Sequence, residues 1–126
     1  MKARTRCFAL RIIRLAESLP DTSTAKVIRH QMIRCGSSVG ANYRAACRAR
    51  SKPDFVSKMG IVEEEADETI YWMELLIDAG IVKQSRMAEL LDEADQILSI
   101  VISSIKTAKG IGANPQSAIS DQKSYA

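Results

Sequence analysis

The stretch from Cys35 to Leu76, CGSSVGANYRAACRARSKPDFVSKMGIVEEEADETIYWMELL, decides the fold. It sets a small-residue, arginine-rich helical segment before a carboxylate-rich one, with a single Ser51-Lys52-Pro53-Asp54 break between them. Ser51 and Asp54 make a capping-box-like helix start, and Pro53 is tolerated in a first turn. Two long helices joined by so short a break read as a helical hairpin. The same break divides the charge. Up to Lys52 there are 12 Lys and Arg against 2 Asp and Glu, a formal +10. From Pro53 onward there are 6 against 13, a formal −7, leaving the chain at +3. This asymmetry points to polyanion contact or self-assembly, and to no particular reaction.

Outward from the hairpin, helical periods continue in both directions. Helix 1 is predicted from about Arg4 to Ser18, with Phe8, Ile12, Leu15 and Leu19 as its core stripe and Pro20 as its stop. Asp21 or Thr22 caps helix 2, which runs to about Ala49 with Ile28, Cys35, Val39, Asn42 and Ala46 inward. Helix 3 buries Phe55, Met59, Val62, Ala66, Met73 and Ile77 and closes at Gly80. Ser85 is expected to cap helix 4, where Met87, Leu90, Leu91, Ala94, Ile97, Leu98, Val101 and Ile105 repeat with near-heptad spacing. Beyond Lys109 the periodicity ends among Gly, Asn, Pro, Ser and Gln. The expectation is one all-α domain, residues 1–109, folded as an antiparallel up-down four-helix bundle, with 110–126 as a flexible tail.

Two helices carry more apolar surface than a lone bundle needs. Helix 3 has a second line through Ile61, Glu68, Trp72, Leu75 and Ala79, and helix 1 shows Leu10 and Ile13 away from its core stripe. Leu10, Ile13, Ile61, Glu68, Trp72 and Leu75 are therefore the expected interface with further copies of the chain. The alternative is that wide stripes wrap a crowded core.

Several function classes fall away. Arginines interrupt every apolar run of the basic N-terminus, so no signal-peptide core can be drawn there. No stretch approaches the roughly 18 apolar residues of a membrane span. Cys7, Cys35 and Cys47 are odd in number and without metal-ligand spacing, which predicts a reducing, cytoplasmic setting. Glu63, Glu64, Glu65, Asp67 and Glu68 invite a di-metal reading, but the only histidine is His30 and no Glu-x-x-His occurs, so no metal or cofactor is expected. Ser37 and Ser38 lie mid-helix rather than on a nucleophile elbow, and Gly36 and Gly40 lack the Lys-Ser/Thr of a phosphate loop. An enzyme is not expected. The small residues instead let helix 2 approach a neighbour closely, and an inward Asn42 would need a hydrogen-bond partner.

The cations are the better lead. His30, Arg34, Ser37, Ala41, Arg44 and Arg48 form one line on helix 2, Arg50 and Lys52 extend it, and helix 1 has Arg4, Arg11 and Arg14. Such lines suit the phosphate backbone of RNA or DNA, with Arg34, Arg44, Arg48, Arg50 and Lys52 as candidates and Arg11 and Arg14 as a secondary patch. Two readings compete: pairing of Arg44 and Arg48 with Glu64, Glu65 or Glu68, and a merely solvated face. Base stacking is not expected, because no aromatics interleave the cations. A scaffold recruiting a protein partner is the rival function.

The runs RCGSSVGANYRAACRARSKPDF and KMGIVEEEADETIYWMELL, with the Leu19-Pro20 stop, resemble the four-helix-bundle proteins encoded in intervening sequences of bacterial 23S ribosomal RNA genes. The small-residue run, the NYR at 42–44, the SKxDF turn and the EADETxYW run occur in order, and the resemblance spans about Phe8 to Ile105. It implies an up-down bundle assembled as a homopentamer. One departure is Ala45, where such proteins usually have Glu after the NYR. The chain is also similar to accessory proteins of diversity-generating retroelements, basic pentameric barrels that engage a reverse transcriptase and nucleic acid. That likeness is one of fold, and function must come from the site.

Overall fold

The structure, a computed structural model, describes residues 1–110. Of the expected tail, all but Gly110 lies outside the described residues. Four helices and no strands are formed among the described residues: α1 (Lys2–Glu17), α2 (Ser23–Ala46), α3 (Lys52–Asp78) and α4 (Gln84–Lys109). Each helix packs on the next in sequence, and α1 meets α4 more sparsely to complete the bundle.

Local chemistry sets the breaks. Thr22, in extended backbone, accepts the Ala25 N–H at 3.1 Å, and Ser51 accepts that of Asp54 at 3.2 Å. α3 stops where Gly80 takes φ +73°, a left-handed conformation that costs glycine no Cβ clash. The Ile81 N–H then returns to the Leu76 carbonyl at 3.0 Å. Two expected boundaries differ. α2 ends at Ala46 rather than near Ala49, because Arg48 and Ala49 bond three residues back, to Ala45 and Ala46, in tight non-helical turns. Ser85 is not a cap: α4 begins at Gln84 after an extended Lys83, with no side-chain cap bond.

The core is aliphatic and methionine-rich. Phe8, Ile12, Met32, Val39, Met59, Val62, Met73, Leu76, Met87, Ile97 and Val101 are all buried. Phe55, Ile77, Leu91 and Leu98, expected inside, are only half-buried and flank it. Thr5 and Thr69 are buried polar residues, and each hydroxyl donates to its own helix: Thr5 to the Met1 carbonyl at 3.0 Å, Thr69 to that of Glu65 at 2.7 Å. Asn42 is half-buried and bonds locally, its Nδ2 donating to the Ser38 carbonyl and hydroxyl at 2.9 and 2.8 Å. No cross-helix partner is needed.

The α1–α2 contact follows from glycine. A Cβ on Gly36 would lie 2.8 Å from Ile12 Cγ2, and one on Gly40 would lie 3.2 Å from Thr5 Oγ1. The two helices therefore approach along the GxxxG face of α2, as the small-residue run predicts. These contacts also fix an antiparallel register, with the start of α1 beside the end of α2.

Candidate nucleic-acid interface

The bundle sorts the cations of the first half into bound and unbound groups. Arg29 caps α1: its Nε donates to the Ala16 carbonyl at 2.9 Å, and its Nη2 to that of Leu19 at 3.1 Å. Arg4 grips Glu93 with two bonds, Nε to Oε2 at 2.8 Å and Nη2 to Oε1 at 2.7 Å, closing the sparse α1–α4 seam. This bonding holds the Glu93 carboxyl below the usual carboxylate range despite partial burial, and the charge of Arg11 adds to the effect. Arg11 is half-buried and makes no ion pair, and Arg14 is exposed.

Arg34 leaves the expected line as well. Its guanidinium spans the hairpin to Glu65 at 3.4 Å and to Glu68, and its Nε donates to Gln31 Oε1 at 3.0 Å. Glu68 also accepts the Trp72 indole N–H at 3.0 Å. The pairing considered for Arg44 and Arg48 is thus made by Arg34, nearly three helical turns before Arg44 on α2. Glu68 and Trp72, expected at an interface between copies, are tied into this intrachain network. Trp72 and Leu75 are half-buried against the core, whereas Leu10, Ile13 and Ile61 are exposed as expected. Val27 and Tyr71 are also exposed, and the sequence reading did not single them out.

Arg44 and Arg48 face the other way. They line a groove of about 650 Å³ between α1 and α2, together with Lys2 and Arg6 of α1. Its remaining walls are Ala3, Thr5, Ala9, Ser37, Gly40 and Ala41. The groove exists because small residues line both helices here, so nothing fills the space between them. None of its lining residues is a carboxylate. Among the described residues Lys2, Arg6, Arg44 and Arg48 make no ion pair. Ser37 Oγ donates to the Ile33 carbonyl at 2.6 Å, so it offers the groove an acceptor rather than a free donor.

The α2–α3 turn extends the positive surface. Arg50 and Lys52 are exposed, and the one carboxylate of the turn, Asp54, is bound by Lys58 at 2.7 Å. Antiparallel topology brings the end of α4 to the same place, where Lys52 and Lys109 line a second groove with Val56 and Thr107. Sequence reasoning missed Lys2, Arg6 and Lys109. Lys2 and Arg6 fall on the face of α1 opposite the Arg4–Arg11 line, and only the close α1–α2 approach puts them beside Arg44 and Arg48. A usable signal was nonetheless present: α1 has no acidic residue in its first turn. Cations there oppose the helix dipole at about 0.3–1 kcal/mol each.

Two other chemistries find little footing. Among the described residues no three His, Cys, Asp or Glu side chains gather as metal ligands do. Cys35 is buried, and burial pushes its thiol up, away from the reactive thiolate. Burial and then Cys47 push the Tyr43 phenol up to about 12, so it stays neutral beside the core. No helix among the described residues is long and apolar enough to cross a membrane.

The chain is similar over most of its bundle to a solved protein of unknown function and to one protein family. A crystal structure of a protein of unknown function from the S23 ribosomal protein family of Bacteroides thetaiotaomicron superimposes with a TM-score of 0.78 at 36% identity, covering 83% of this chain and 97% of that one. No curated protein matches. Residues 2–103 match the family described as 23S rRNA-intervening sequence protein, a span running from the first turn of α1 into the last turns of α4. On that match the chain belongs to the 23S rRNA-intervening sequence protein family.

Proposed function

We propose that this protein is a non-enzymatic helical bundle that binds RNA or DNA through backbone phosphates. The observation that carries the reading is the groove in which Lys2, Arg6, Arg44 and Arg48 converge without a carboxylate. Arg44 in the last turn of α2 is favoured by the helix dipole, so fold stability alone explains it. Lys2 has no such explanation, because it sits in the first turn of α1, the end that repels cations. A polyanion bound there would offset that cost. Arg50 and Lys52 continue the same positive surface, and Arg34 does not belong to it. Phosphate contacts position a nucleic acid without reading bases, so little sequence preference is expected.

Self-association, as a homopentamer, is the second part of the proposal, supported by the exposed Leu10, Ile13 and Ile61. Three unpaired cysteines suit a reducing cytoplasm. The rival reading, a scaffold for a protein partner, is favoured by the exposed Val27 and Tyr71.

The test is a titration of nuclease-treated protein with structured RNA and duplex DNA at low and moderate salt. Six cations engaged on duplex DNA correspond to a log–log salt slope of about −5. Reversing Arg48 and Arg50 to Glu should weaken binding and flatten the slope by about 2 without changing the assembly's mass. Absence of binding to either ligand at low salt would remove the nucleic-acid reading. Dissociation of the oligomer by the double reversal would instead assign those arginines to an interface.

A further inference from the structure

We infer that the groove between α1 and α2 is a site for a compact polyphosphate group: a linear triphosphate, carried at the 5′ end of an RNA or on a free nucleotide. The inference rests on the nucleic-acid reading above and deepens it by naming the phosphate group that best matches the groove. A duplex is a convex rod whose phosphodiesters can touch the rim formed by Arg48, Arg50 and Lys52. The groove's four cations are exposed and such a rod can touch them, but it does not fill a concavity of about 650 Å³ between two helices. That volume lies instead in the range of small-ligand sites, about 300–1,000 Å³. A chain end or a free small molecule can settle between all four exposed cations at once.

Charge then selects the group. A backbone phosphodiester carries one negative charge, and a terminal phosphomonoester about 1.5 to 2 at neutral pH. A triphosphate adds two further ionised phosphates, reaching about four negative charges in one compact unit. Lys2, Arg6, Arg44 and Arg48 supply four positive charges, and no carboxylate in the lining cancels any of them. Three of the four are arginines, whose forked guanidinium takes two phosphate oxygens at once. The walls are Ala, Gly, Ser and Thr, with no aromatic side chain to stack a base. Recognition therefore falls on the phosphates and leaves the nucleoside unread.

The experiment compares one short labelled RNA bearing a 5′-triphosphate with the same RNA bearing a 5′-hydroxyl, using the full chain. The triphosphate end should bind about tenfold tighter or better, and inorganic triphosphate should abolish that advantage. The variant Lys2→Gln/Arg6→Gln should lose the advantage, binding both RNAs more weakly than the parent chain and equally to one another. Equal binding of the two RNAs would overturn the inference and leave the nucleic-acid reading standing. If neither RNA binds, that reading fails, and a labelled nucleoside triphosphate is titrated directly. Binding lost in Lys2→Gln/Arg6→Gln then keeps the triphosphate site with a free nucleotide as its source, and absence of binding overturns it. A preference among the four nucleoside triphosphates above about tenfold would refute recognition through phosphates alone.

Discussion

Replacing Gly36 with Ala and, separately, Gly60 with Ala isolates the close approach of α1 and α2 from helix propensity. Both glycines are interior to long helices, so each substitution gains about 1 kcal/mol of intrinsic propensity. Gly60 has nothing within 4 Å of the added methyl, and the whole gain should appear. At Gly36 the methyl would lie 2.8 Å from Ile12 Cγ2, 3.1 Å from Cγ1 and 3.2 Å from Cβ. Ile12 is β-branched, held by its helix in essentially one χ1 rotamer, and fully buried, so it cannot swing aside. α1 must shift outward, and overpacking of this kind costs about 1–3 kcal/mol. The net effect is a loss of about 1 kcal/mol at Gly36 against a gain of about 1 at Gly60.

Urea denaturation followed by circular dichroism reads this difference. With a slope of about 2 kcal/mol per molar, the two midpoints should separate by about 1 M. Protein concentration must be equal in all samples, because self-association would make the midpoints depend on it. If Gly36→Ala proves as stable as Gly60→Ala, the helices do not meet as closely as described. Lys2 and Arg6 would then not lie beside Arg44 and Arg48 either, since one register produces both. A Gly60→Ala variant that folds well yet loses mass in solution would place Gly60 in a subunit contact.

Three further outcomes are expected. Arg4 depresses the Glu93 carboxyl, so the pair's stabilisation is present above the ordinary carboxylate value of 4.5 and is lost as pH falls through the lowered one. Arg4→Ala should therefore cost about 1 kcal/mol or less at neutral pH and nothing once Glu93 is protonated in both proteins; a cost unchanged in acid would refute the ion pair as its cause. Exposed Cys7 and Cys47 should react with a thiol reagent in the native protein, and buried Cys35 only in denaturant, so rapid native labelling of all three would contradict the packing. Lys2→Gln should leave stability level or raise it by about 0.3 kcal/mol, because the cation opposes the α1 dipole; a clear loss in urea would give Lys2 a structural task.

The fold was legible because its signals are local and mutually consistent. Thr22 and Ser51 cap as their positions before apolar runs predict, Pro20 stops α1, and Gly80 supplies the left-handed turn. Ser85 misled because a serine near a helix start is only a candidate cap, and here the backbone turned helical one residue earlier. Asn42 misled because its amide finds Ser38 one turn back on the same helix, a partner that a search across the bundle overlooks. The site was harder to read, since helical spacing places Arg34, Arg44 and Arg48 on one line but does not say what each meets. The α3 carboxylates Glu65 and Glu68 meet Arg34, whereas Arg44 and Arg48 line the groove against α1.

That division explains why a single arginine line holds two chemistries. Of the 12 Lys and Arg up to Lys52, four are engaged: Arg4 with Glu93, Lys26 with Asp21, Arg29 with the end of α1, and Arg34 with Glu65 and Glu68. The other eight have no ion pair among the described residues, although the second half of the chain carries 13 carboxylates. If charge balance within the bundle were the reason for the cations, the acids of α3 and α4 would sit opposite them. For six of the eight they do not: Lys2, Arg6, Arg44, Arg48, Arg50 and Lys52 gather where α1 begins and α2 ends, without a carboxylate paired to any of them. The α2 dipole accounts for Arg44, but stability gains nothing from Lys2 in the first turn of α1, a cost that phosphate held at that end would offset.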